Sequence, residues 1–374
     1  MTFGAKKIIK EQLKMLMQHT FLPLVYRTGS KGSIEKGLVV FADMHNDSVP
    51  FSMKMMLAKV KRLDGKRIVV KCRDTQKMSA AAAFRWLVSF MRLYARAEYV
   101  FICDNFLPVA SCKKREGTKV IQLWHSGGLL KKSGYDQKFS VPAYYKGNVF
   151  ANYDLLTVSA DCCVPVFTGM MRQPVGVVQA TGLSRTDIYF CRRYNEKCRS
   201  EFFEKHPQAR GKTVVLYAPT FRGSADSPYL VGEEDIDKAF AGDDRFFLVK
   251  KLHPHFERKH TQRAFEDTPC ERLLPAADIL VTDFSSVLFD WALYEKPFVI
   301  FAPDYDKYTR EVGFYADIES FPTTVARQGD ELVRAVIGEL ENRDKRELSL
   351  FKAYHMGACD GRATDRILKK INMI

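Results

Sequence analysis

Short runs of apolar residues recur along this chain, and stretches of helical character separate them. The runs are Leu38–Phe41, Arg67–Lys71, Tyr99–Cys103, Lys119–Trp124 and Leu155–Ser159, followed later by Val214–Tyr217, Phe246–Val249, Ile279–Thr282 and Phe298–Phe301. Most are rich in Val, Ile, Phe and Leu and lack a clean apolar-polar alternation, which is typical of strands buried on both faces of a parallel sheet. The pattern predicts an α/β protein with two parallel sheets.

A polar and charged stretch, CRRYNEKCRSEFFEKHPQARGK, separates the two groups of runs. The chain has 374 residues, which exceeds one ordinary core and suffices for two domains of typical size. We therefore expect two domains, residues 1–195 and 196–374, with a boundary defined to within several residues.

Composition narrows the class of protein. The chain is 46% hydrophobic and 27% charged, which predicts folded domains, and its formal net charge of +14 favours anionic partners such as phosphates, nucleotides, an acidic membrane surface or nucleic acid. The nine cysteines are scattered and show neither zinc-ligand spacing nor a disulfide framework, which favours reduced thiols in the cytosol.

The N-terminal segment has the pattern of a basic amphipathic helix. In a helix, which turns by about 100° per residue, the basic side chains of this segment fall on one face, namely Lys6, Lys7, Lys10 and Lys14. The apolar side chains fall on another face, namely Ile8, Ile9, Leu13 and Leu16. The segment has no signal-peptide cleavage site and no run of about 18 apolar residues that could span a bilayer. Two interpretations stay open: the helix lies on an anionic membrane surface, or it packs on the protein's own core.

Residues that follow the predicted strands are candidates for chemistry, because ligands of open α/β sheets bind outside the carboxyl ends of the strands. His125 follows Lys119–Trp124, and its imidazole could act as a general base near neutral pH. Gly127 and Gly128 come next and could let a substrate approach the backbone closely. Lys131 and Lys132 could neutralise phosphate oxygens or form a solvated face. A hydrogen-bonded structural role is the alternative for His125.

Basic residues collect at two strand ends of the second half. Lys250 and His253 lie in KKLHPH, where the crowded positive charge suggests a phosphate site, and ordinary surface basicity is the alternative. Arg222 follows Ala-Pro-Thr-Phe and offers a planar fork that suits a phosphate, or that could instead pair with Asp226.

The segment Asp283-Phe284-Ser285-Ser286 leads into a predicted helix that ends before Pro297. A small hydroxyl residue at a helix start leaves backbone N–H groups free, and with the helix dipole they could bind a diphosphate. Ordinary N-capping by Ser285 or Ser286 is the alternative interpretation.

Several segments together resemble one known family. LWHSGGLLKKSGYD, TGLSRTDIYF, VLYAPTFR, KKLHPH, ADILVTDFSSVLFDWALYEKPFVIFAPDYDKY and VGFYAD occur in the order and at about the spacing seen in the CDP-glycerol glycerophosphotransferase family. The resemblance covers roughly residues 100 to 320. It implies a GT-B fold in which two Rossmann-like, doubly wound domains face a cleft, the second of which would bind the CDP-alcohol.

The resemblance also implies roles for individual residues. His125 would be the base that deprotonates the acceptor hydroxyl, and His253 would steady the transferred phosphate or the departing CMP. Segments on the nucleotide and diphosphate side carry Arg222, Thr282, Asp283, Ser285 and Ser286. Gly127, Lys131 and Lys250 are expected to contact substrate as well, and Arg185 and Asp187 match a Gly-x-x-Arg-x-Asp segment whose role is less defined.

One departure bears on the acceptor. Many polymerising members of the family read Trp-His-Gly-Thr-Pro, and this chain has Trp-His-Ser-Gly-Gly at residues 124–128, a form similar to that of the primases. The resemblance then implies transfer of glycerol or ribitol phosphate from a CDP-activated donor to a lipid-linked cell-wall or capsular saccharide, as in teichoic acid synthesis. We expect a cytoplasmic enzyme held peripherally on the inner face of a bacterial membrane. No cofactor is required by this interpretation, and a loosely held Mg²⁺ is left open.

The sequence alone leaves two other functions open. A glycosyltransferase that uses a nucleotide sugar could share the same fold. A basic nucleic-acid-binding protein is the alternative of another class, although the basic residues are dispersed and no recognisable nucleic-acid-binding motif is present, so nucleic acid is not an expected partner.

Overall fold

The computed structural model describes residues 2–137, 140–141, 146–224, 227–252 and 266–374, without the side chains of residues 2–7, 10 and 224. The chain divides into two units. The first comprises Met1–His125, Ser133–Asp187 and Ala358–Ile374, and the second comprises Ser126–Lys132 and Ile188–Gly357.

The first unit is built on a six-stranded sheet. Its strands are β1 (Glu35–Asp43), β2 (Arg67–Cys72), β3 (Ala97–Ile102), β4 (Lys119–Gln122), β5 (Leu155–Thr157) and β6 (Val178–Gln179). They pair in the order β2-β1-β3-β4-β5-β6, and every pairing is parallel. The five strands expected from the apolar runs are present, and the two-residue β6 was too short to leave a pattern.

The second unit contains a five-stranded parallel sheet and a short antiparallel hairpin. The strands are β7 (Thr213–Tyr217), β8 (Arg222–Ser224), β9 (Ser227–Tyr229), β10 (Phe246–Lys250), β11 (Ile279–Thr282), β12 (Phe298–Phe301) and β13 (Val325–Ala326). The parallel sheet has the order β10-β7-β11-β12-β13, and β8 pairs with β9. The four predicted strands of this half are confirmed.

Helices connect the strands in both units. In chain order they are α1 (Thr2–Leu16), α2 (Leu22–Gly29), α3 (Phe51–Val60), α4 (Ala80–Tyr94), α5 (Leu107–Ala110), α6 (Cys163–Met170), α7 (Arg192–Lys205), α8 (Glu233–Phe240), α9 (Cys270–Leu273), α10 (Val287–Ala292), α11 (Tyr305–Glu311), α12 (Leu332–Asn342), α13 (Lys345–Met356) and α14 (Ala363–Lys370). A π-helical turn, Met17–Phe21, joins α1 to α2. None of the described helices is long and apolar enough to cross a membrane.

The strand order of each parallel sheet fixes where a ligand can bind. In the first sheet the chain builds outward from β1 to β2 and then returns to add β3 on the other side of β1. The second sheet repeats this plan, with β10 on one side of β7 and β11 on the other. Each sheet therefore has a switch point, between β1 and β3 and between β7 and β11, and the crevice beyond the carboxyl ends of those strands is the expected binding place.

The expected domain boundaries require a correction. We expected residues 196–374 to form one continuous domain, but the last segment, Ala358–Ile374, belongs to the first unit. Ile367, Leu368 and Ile371 are buried in the same apolar cluster as Val39 and Phe101. The apolar face of α14 thus completes the core of the first unit. The short segment Ser126–Lys132 belongs to the second unit, although it follows β4.

Candidate active site

The switch point of the second sheet is closed by hydrogen bonds between the two strand ends. The Thr282 hydroxyl donates to the carbonyl oxygen of Ala218 at 2.7 Å, and the backbone N–H of Thr220 donates to Asp283 Oδ1 at 2.7 Å. Thr282 and Asp283 are both buried. These two residues, predicted to line the donor side, therefore shape the loop that follows β7.

Arg222 lies at the centre of this edge, and its fork is bound by carboxylates of the protein. Nη1 lies 2.8 Å from Asp283 Oδ2, Nε and Nη2 donate to the two oxygens of Asp304 at 2.8 and 2.9 Å, and Nη1 also donates to the Thr220 carbonyl. The guanidinium carbon lies 5.0 Å from the Phe284 ring centre. Burial acts to lower the pKa of Arg222, but the two carboxylates outweigh it and raise that pKa.

This geometry changes the interpretation of Arg222. From the sequence, the guanidinium group of Arg222 could bind a phosphate or pair with Asp226. Asp226 lies outside the described residues. In the structure the guanidinium group forms ion pairs with Asp283 and Asp304. Arg222 consequently organises the edge of the sheet, and direct contact with a phosphate stays a prediction.

Ser285 and Ser286 lie between β11 and α10 and are partly accessible. The Val287 N–H donates a long hydrogen bond of 3.4 Å to the Ser285 hydroxyl, and Ser286 makes no side-chain cap bond to the helix. Neither serine is therefore a strong N-cap. The helix itself spans only six residues, Val287–Ala292, which makes it shorter than the sequence suggested. Binding of a diphosphate by these serines stays a prediction.

The segment after His125 packs into the second unit through its two glycines. A Cβ atom on Gly127 would lie 2.6 Å from Met356 Sδ, and one on Gly128, whose φ is +61°, would lie 2.3 Å from the Phe289 ring. The absent side chains thus make room for the protein's own core rather than for a substrate. Contact of Gly127 with substrate stays a prediction.

Lys131 is the cation of this segment that the structure places near the switch point. Burial lowers the pKa of its ammonium group, and the charge of Asp283 opposes that effect. Its neighbour Lys132 is exposed and donates its backbone N–H to Gly313. Lys131 is therefore the better candidate of the two for meeting a phosphate oxygen.

The basic cluster at the end of β10 is only partly described. Lys250 Nζ lies 2.8 Å from Asp237 and 3.6 Å from Glu233, two acidic residues of α8, so its charge already has protein partners. Lys251 Nζ donates to the carbonyl oxygen of Glu266 at 2.7 Å. His253 lies outside the described residues, and its role on the donor side stays a prediction.

His125 lies at the carboxyl end of β4 in the first unit, and its side chain is accessible. Its Nδ1 lies 3.2 Å from the carbonyl oxygen of Cys103 and 3.8 Å from Asp104 Oδ1. A carbonyl oxygen only accepts hydrogen bonds, so in the neutral imidazole Nδ1 carries the proton and Nε2 has the lone pair. This is the tautomer that a general base requires.

Cys103 and Asp104 lie beside His125 but were not selected from the sequence. They follow β3, which pairs with β4, so the rule that selected His125 also applies to them. The Asp104-Asn105 pair at a strand end was the available signal.

Arg185 and Asp187 have different surroundings in the first unit. The Asp187 oxygens accept hydrogen bonds from the backbone N–H groups of Ala363 and Thr364 at 2.9 and 2.8 Å. Burial raises the pKa of Asp187 despite these bonds. Asp187 therefore caps α14 and holds the last helix in place. Arg185 is buried, and its charge acts on the Cys103 thiol, which places it near the residues that surround His125.

No group of three or more His, Cys, Asp or Glu side chains in the described part of the chain could hold a metal ion. The expectation that no cofactor is needed stays a prediction.

Comparison with known proteins decides the family. The sequence profile described as CDP-Glycerol:Poly(glycerophosphate) glycerophosphotransferase matches residues 24–373. The chain belongs to this family. The resemblance drawn from the motifs is thus confirmed, and membership identifies the chain as a CDP-polyol phosphotransferase.

Among curated members of the glycerophosphotransferase family, the chain is 28% identical to a teichoic acid ribitol-phosphate primase of Bacillus spizizenii over 356 residues, which cover 89% of this chain and 90% of the primase. It is 31% identical to a teichoic acid glycerol-phosphate primase of Bacillus subtilis over 57% of this chain and 58% of that protein. The chain spans about half the length of the ribitol-phosphate polymerases that it also matches.

Solved structures agree on the fold. The wall teichoic acid polymerase TagF, in a histidine-to-asparagine variant, matches with a TM-score of 0.75 at 18% identity and covers 100% of this chain and 98% of that one. Together with weaker matches to epimerases of nucleotide sugars, one of them from Listeria monocytogenes, this confirms a GT-B-like fold of two Rossmann-like units.

Proposed function

We propose that this member of the glycerophosphotransferase family transfers glycerol phosphate, or the related ribitol phosphate, from its CDP derivative to a lipid-linked cell-wall or capsular saccharide and releases CMP. The observation that carries the proposal is the state of His125. A neutral histidine at the carboxyl end of a strand, whose Nδ1 donates to the Cys103 carbonyl, has the Nε2 lone pair that is needed to take a proton from a hydroxyl.

The proposed step is a substitution at phosphorus. The acceptor hydroxyl gives its proton to His125 Nε2, and its oxygen attacks the phosphorus that bears the polyol. The bond from that phosphorus to the bridging oxygen of the diphosphate breaks, and CMP leaves with the bonding electrons. His125 then returns the proton to water. Preorganised positive charge rather than covalent catalysis suits such a transition state.

We propose that the CDP-polyol donor binds at the switch point of the second sheet. Lys131 supplies a cation beside Asp283, and Ser285 and Ser286 supply partly accessible hydroxyls at the end of β11. The paired Arg222 holds this edge in shape. His253 is proposed to contact the phosphate from the same side, as its match to the family motif implies.

The primase class is favoured for the acceptor. The chain aligns with 90% of the ribitol-phosphate primase, and its Trp-His-Ser-Gly-Gly segment is similar to that of primases. We therefore propose that the acceptor is the lipid-linked saccharide itself rather than a long polymer.

A donor panel tests the reaction. CMP release would be measured with CDP-glycerol, CDP-ribitol, UDP-sugars and GDP-sugars in the presence of a lipid-linked disaccharide. We expect CMP from a CDP-polyol, and turnover only with a nucleotide sugar would contradict the proposal. His125→Ala should abolish transfer and leave CDP-polyol binding within about threefold, because the base acts on the acceptor. His19→Asn, which alters a histidine bound to the Lys146 carbonyl, is the control.

Attachment to a membrane surface is proposed for the helix α1. Its apolar residues Ile8, Ile9, Leu13 and Leu16 are each more than half exposed, and Leu24 on α2 and Phe84 on α4 are exposed as well. The alternative, that this face packs on the core, is disfavoured by these exposures. A helix of this kind can lie at an anionic bilayer surface, with its lysines near the lipid headgroups.

Vesicle binding tests the attachment. Leu13→Glu with Ile9→Glu should reduce binding to vesicles that contain anionic lipid by at least tenfold, and deletion of residues 2–20 should abolish it. Leu350→Glu is the matched control, because Leu350 is equally exposed but lies on α13 in the second unit. Equal loss from Leu350→Glu, or full binding after the deletion, would rule out this role of α1.

A further inference from the structure

Gln122 is a fully buried amide at the last position of β4, directly before the segment that carries His125. Its Nε2 donates to the carbonyl oxygen of Asp104 at 2.8 Å and to the Tyr153 hydroxyl at 3.3 Å. Its Oε1 accepts the backbone N–H of Trp124 at 3.1 Å. One side chain therefore links the loop after β3 to the turn after β4. A buried amide that binds two loops at once is costly to replace, because each partner would lose its hydrogen bond.

The backbone of Trp124 makes this link necessary. Trp124 has a φ of +51°, a left-handed conformation that is strained for a residue with a large side chain. The hydrogen bond from its N–H to Gln122 stabilises the strained turn. The indole ring packs against the His125 imidazole at 4.5 Å and edge-on against Phe167 at 5.7 Å. The turn that Gln122 holds is thus the one that aims the imidazole.

Asp104 is held at both its backbone and its side chain. Its carbonyl oxygen accepts from Gln122, and its Oδ1 accepts the backbone N–H of Asn105 at 2.7 Å. That same Oδ1 lies 3.8 Å from His125 Nδ1, beyond a hydrogen bond but close enough for an ion pair once the imidazole is charged. The carboxylate thus faces the nitrogen that keeps its proton throughout the reaction.

We propose that Gln122 and Asp104 are positioning residues for His125. Gln122 fixes the distance between the two loops, so that the Cys103 carbonyl receives the proton of Nδ1. Asp104 favours the same tautomer and stabilises the imidazolium that forms when Nε2 takes the acceptor proton. Neither residue contacts the reacting atoms. The inference rests on the proposed role of His125 as the base.

The expected effect falls on turnover rather than on donor affinity. Loss of a residue that orients a catalytic group typically costs 10- to 100-fold in activity, by analogy with partners of metal-bound histidines. We expect Asp104→Asn and Gln122→Met each to lower kcat by about 10- to 100-fold and to leave the KM for the CDP-polyol within about twofold. Asp104→Glu, which keeps the charge, should recover part of the loss.

The deciding readout is the tautomer of His125, measured by ¹⁵N NMR of histidine-labelled, full-length protein without substrate. We expect the Nδ1–H form to dominate in the parent and the Nε2–H form to gain population in Asp104→Asn and Gln122→Met. The control is Gln179→Met, because Gln179 is also a strand-end glutamine of this sheet, at the end of β6, and its amide donates to Gly176. It should change neither the tautomer nor kcat.

The outcomes separate this inference from the proposed function. An unchanged tautomer in both variants, with kcat near the parent value, would overturn the positioning role. If Gln122→Met does not fold, the partly exposed Asp104→Asn still decides, because its side chain lies outside the core. If His125→Ala keeps full activity, the base assignment fails, whereas the NMR result still reports whether the two residues set the tautomer.

Discussion

Asp304 binds the guanidinium of Arg222 through both of its oxygens, at 2.8 Å from Nε and 2.9 Å from Nη2. Arg222 is buried, and Asp283 binds the same group from another side. The ion pair between Asp304 and Arg222 therefore connects the loop after β12 to the start of β8. The donor is proposed to bind at this edge of the sheet.

Asp304→Asn should both destabilise the protein and weaken donor binding. The buried guanidinium would lose one of its two carboxylates, which should cost about 2–4 kcal/mol of unfolding free energy and raise the KM for the CDP-polyol. Urea unfolding and steady-state kinetics check this. Asp243→Asn is the control, because Asp243 also binds an arginine, Arg245, through both oxygens but at an exposed position. That loss should be much smaller because solvent screens the exposed pair, and equal losses would contradict the stabilising role of the Asp304–Arg222 pair.

Gly128→Ala should be far more damaging than an alanine at another glycine of similar φ. The new Cβ would overlap the Phe289 ring, which sits in the core of the second unit, and we expect a loss of about 3 kcal/mol or more. Gly242 has a φ of +76° and nothing within 4 Å of its Cβ position, so Gly242→Ala reports the backbone strain alone, about 1 kcal/mol. Thermal unfolding of the two variants gives the comparison. Similar melting temperatures would contradict an overlap between the new Cβ atom and the Phe289 ring.

The substitution Asp187→Asn tests whether the aspartate of the Gly-x-x-Arg-x-Asp segment has a structural or a catalytic role. Because the amide of Asn keeps only one of the two oxygens that accept the backbone N–H groups at the start of α14, one buried donor loses its partner, and the unfolding free energy should fall by about 1–2 kcal/mol. The turnover rate per folded molecule should stay within about threefold of the parent rate. If turnover instead fell by about two orders of magnitude while stability stayed unchanged, Asp187 would belong to the chemistry.

Because His355 is buried, we expect the stability of the protein to depend on pH. Its imidazole is buried among Phe289, Phe321 and Phe351, and burial lowers its pKa to about 4. The unfolded chain, with a histidine pKa of about 6.5, takes up the proton first as the pH falls. The stabilising contribution is therefore complete above about pH 6.5 and is lost on acidification towards pH 4, at up to about 1.4 kcal/mol per pH unit.

His355→Phe tests this sign. The replacement keeps an aromatic ring in the site and removes the titration, so the difference in unfolding free energy between variant and parent should grow in favour of the variant between pH 7 and pH 4. Chemical unfolding at several pH values measures it. A curve for His355→Phe that runs parallel to that of the parent would refute the assignment.

The apolar runs were sufficient to predict the sheets, because strands buried on both faces must be apolar along their whole length. They could not predict β6, β8, β9 or β13, which have two or three residues each and depend on neighbours for their pairing. The return of residues 358–374 to the first unit escaped prediction for a similar reason. A charged and apolar helix such as α14 has the same sequence pattern whichever core it completes.

Residue type and position at a strand end were enough to select His125, Thr282 and Asp283. For Arg222, Gly127 and Gly128 the sequence could not reveal the side chains of the fold that lie against them. Such partners are distant in sequence: Asp304 lies 82 residues from Arg222, and Phe289 comes from another helix. Pairings of this kind follow from the topology and not from local spacing. Contact with substrate stays a prediction for Arg222 and Gly127.

The position of α14 has a consequence for biosynthesis. The first unit begins at the start of the chain, yet Ile367, Leu368 and Ile371 are part of its core. During translation the first unit must therefore wait, with an apolar surface uncovered, until the whole second unit has emerged from the ribosome. Its final folding step is a late docking event, and a ribosome that stalls within the second unit would leave the first one unfinished as well.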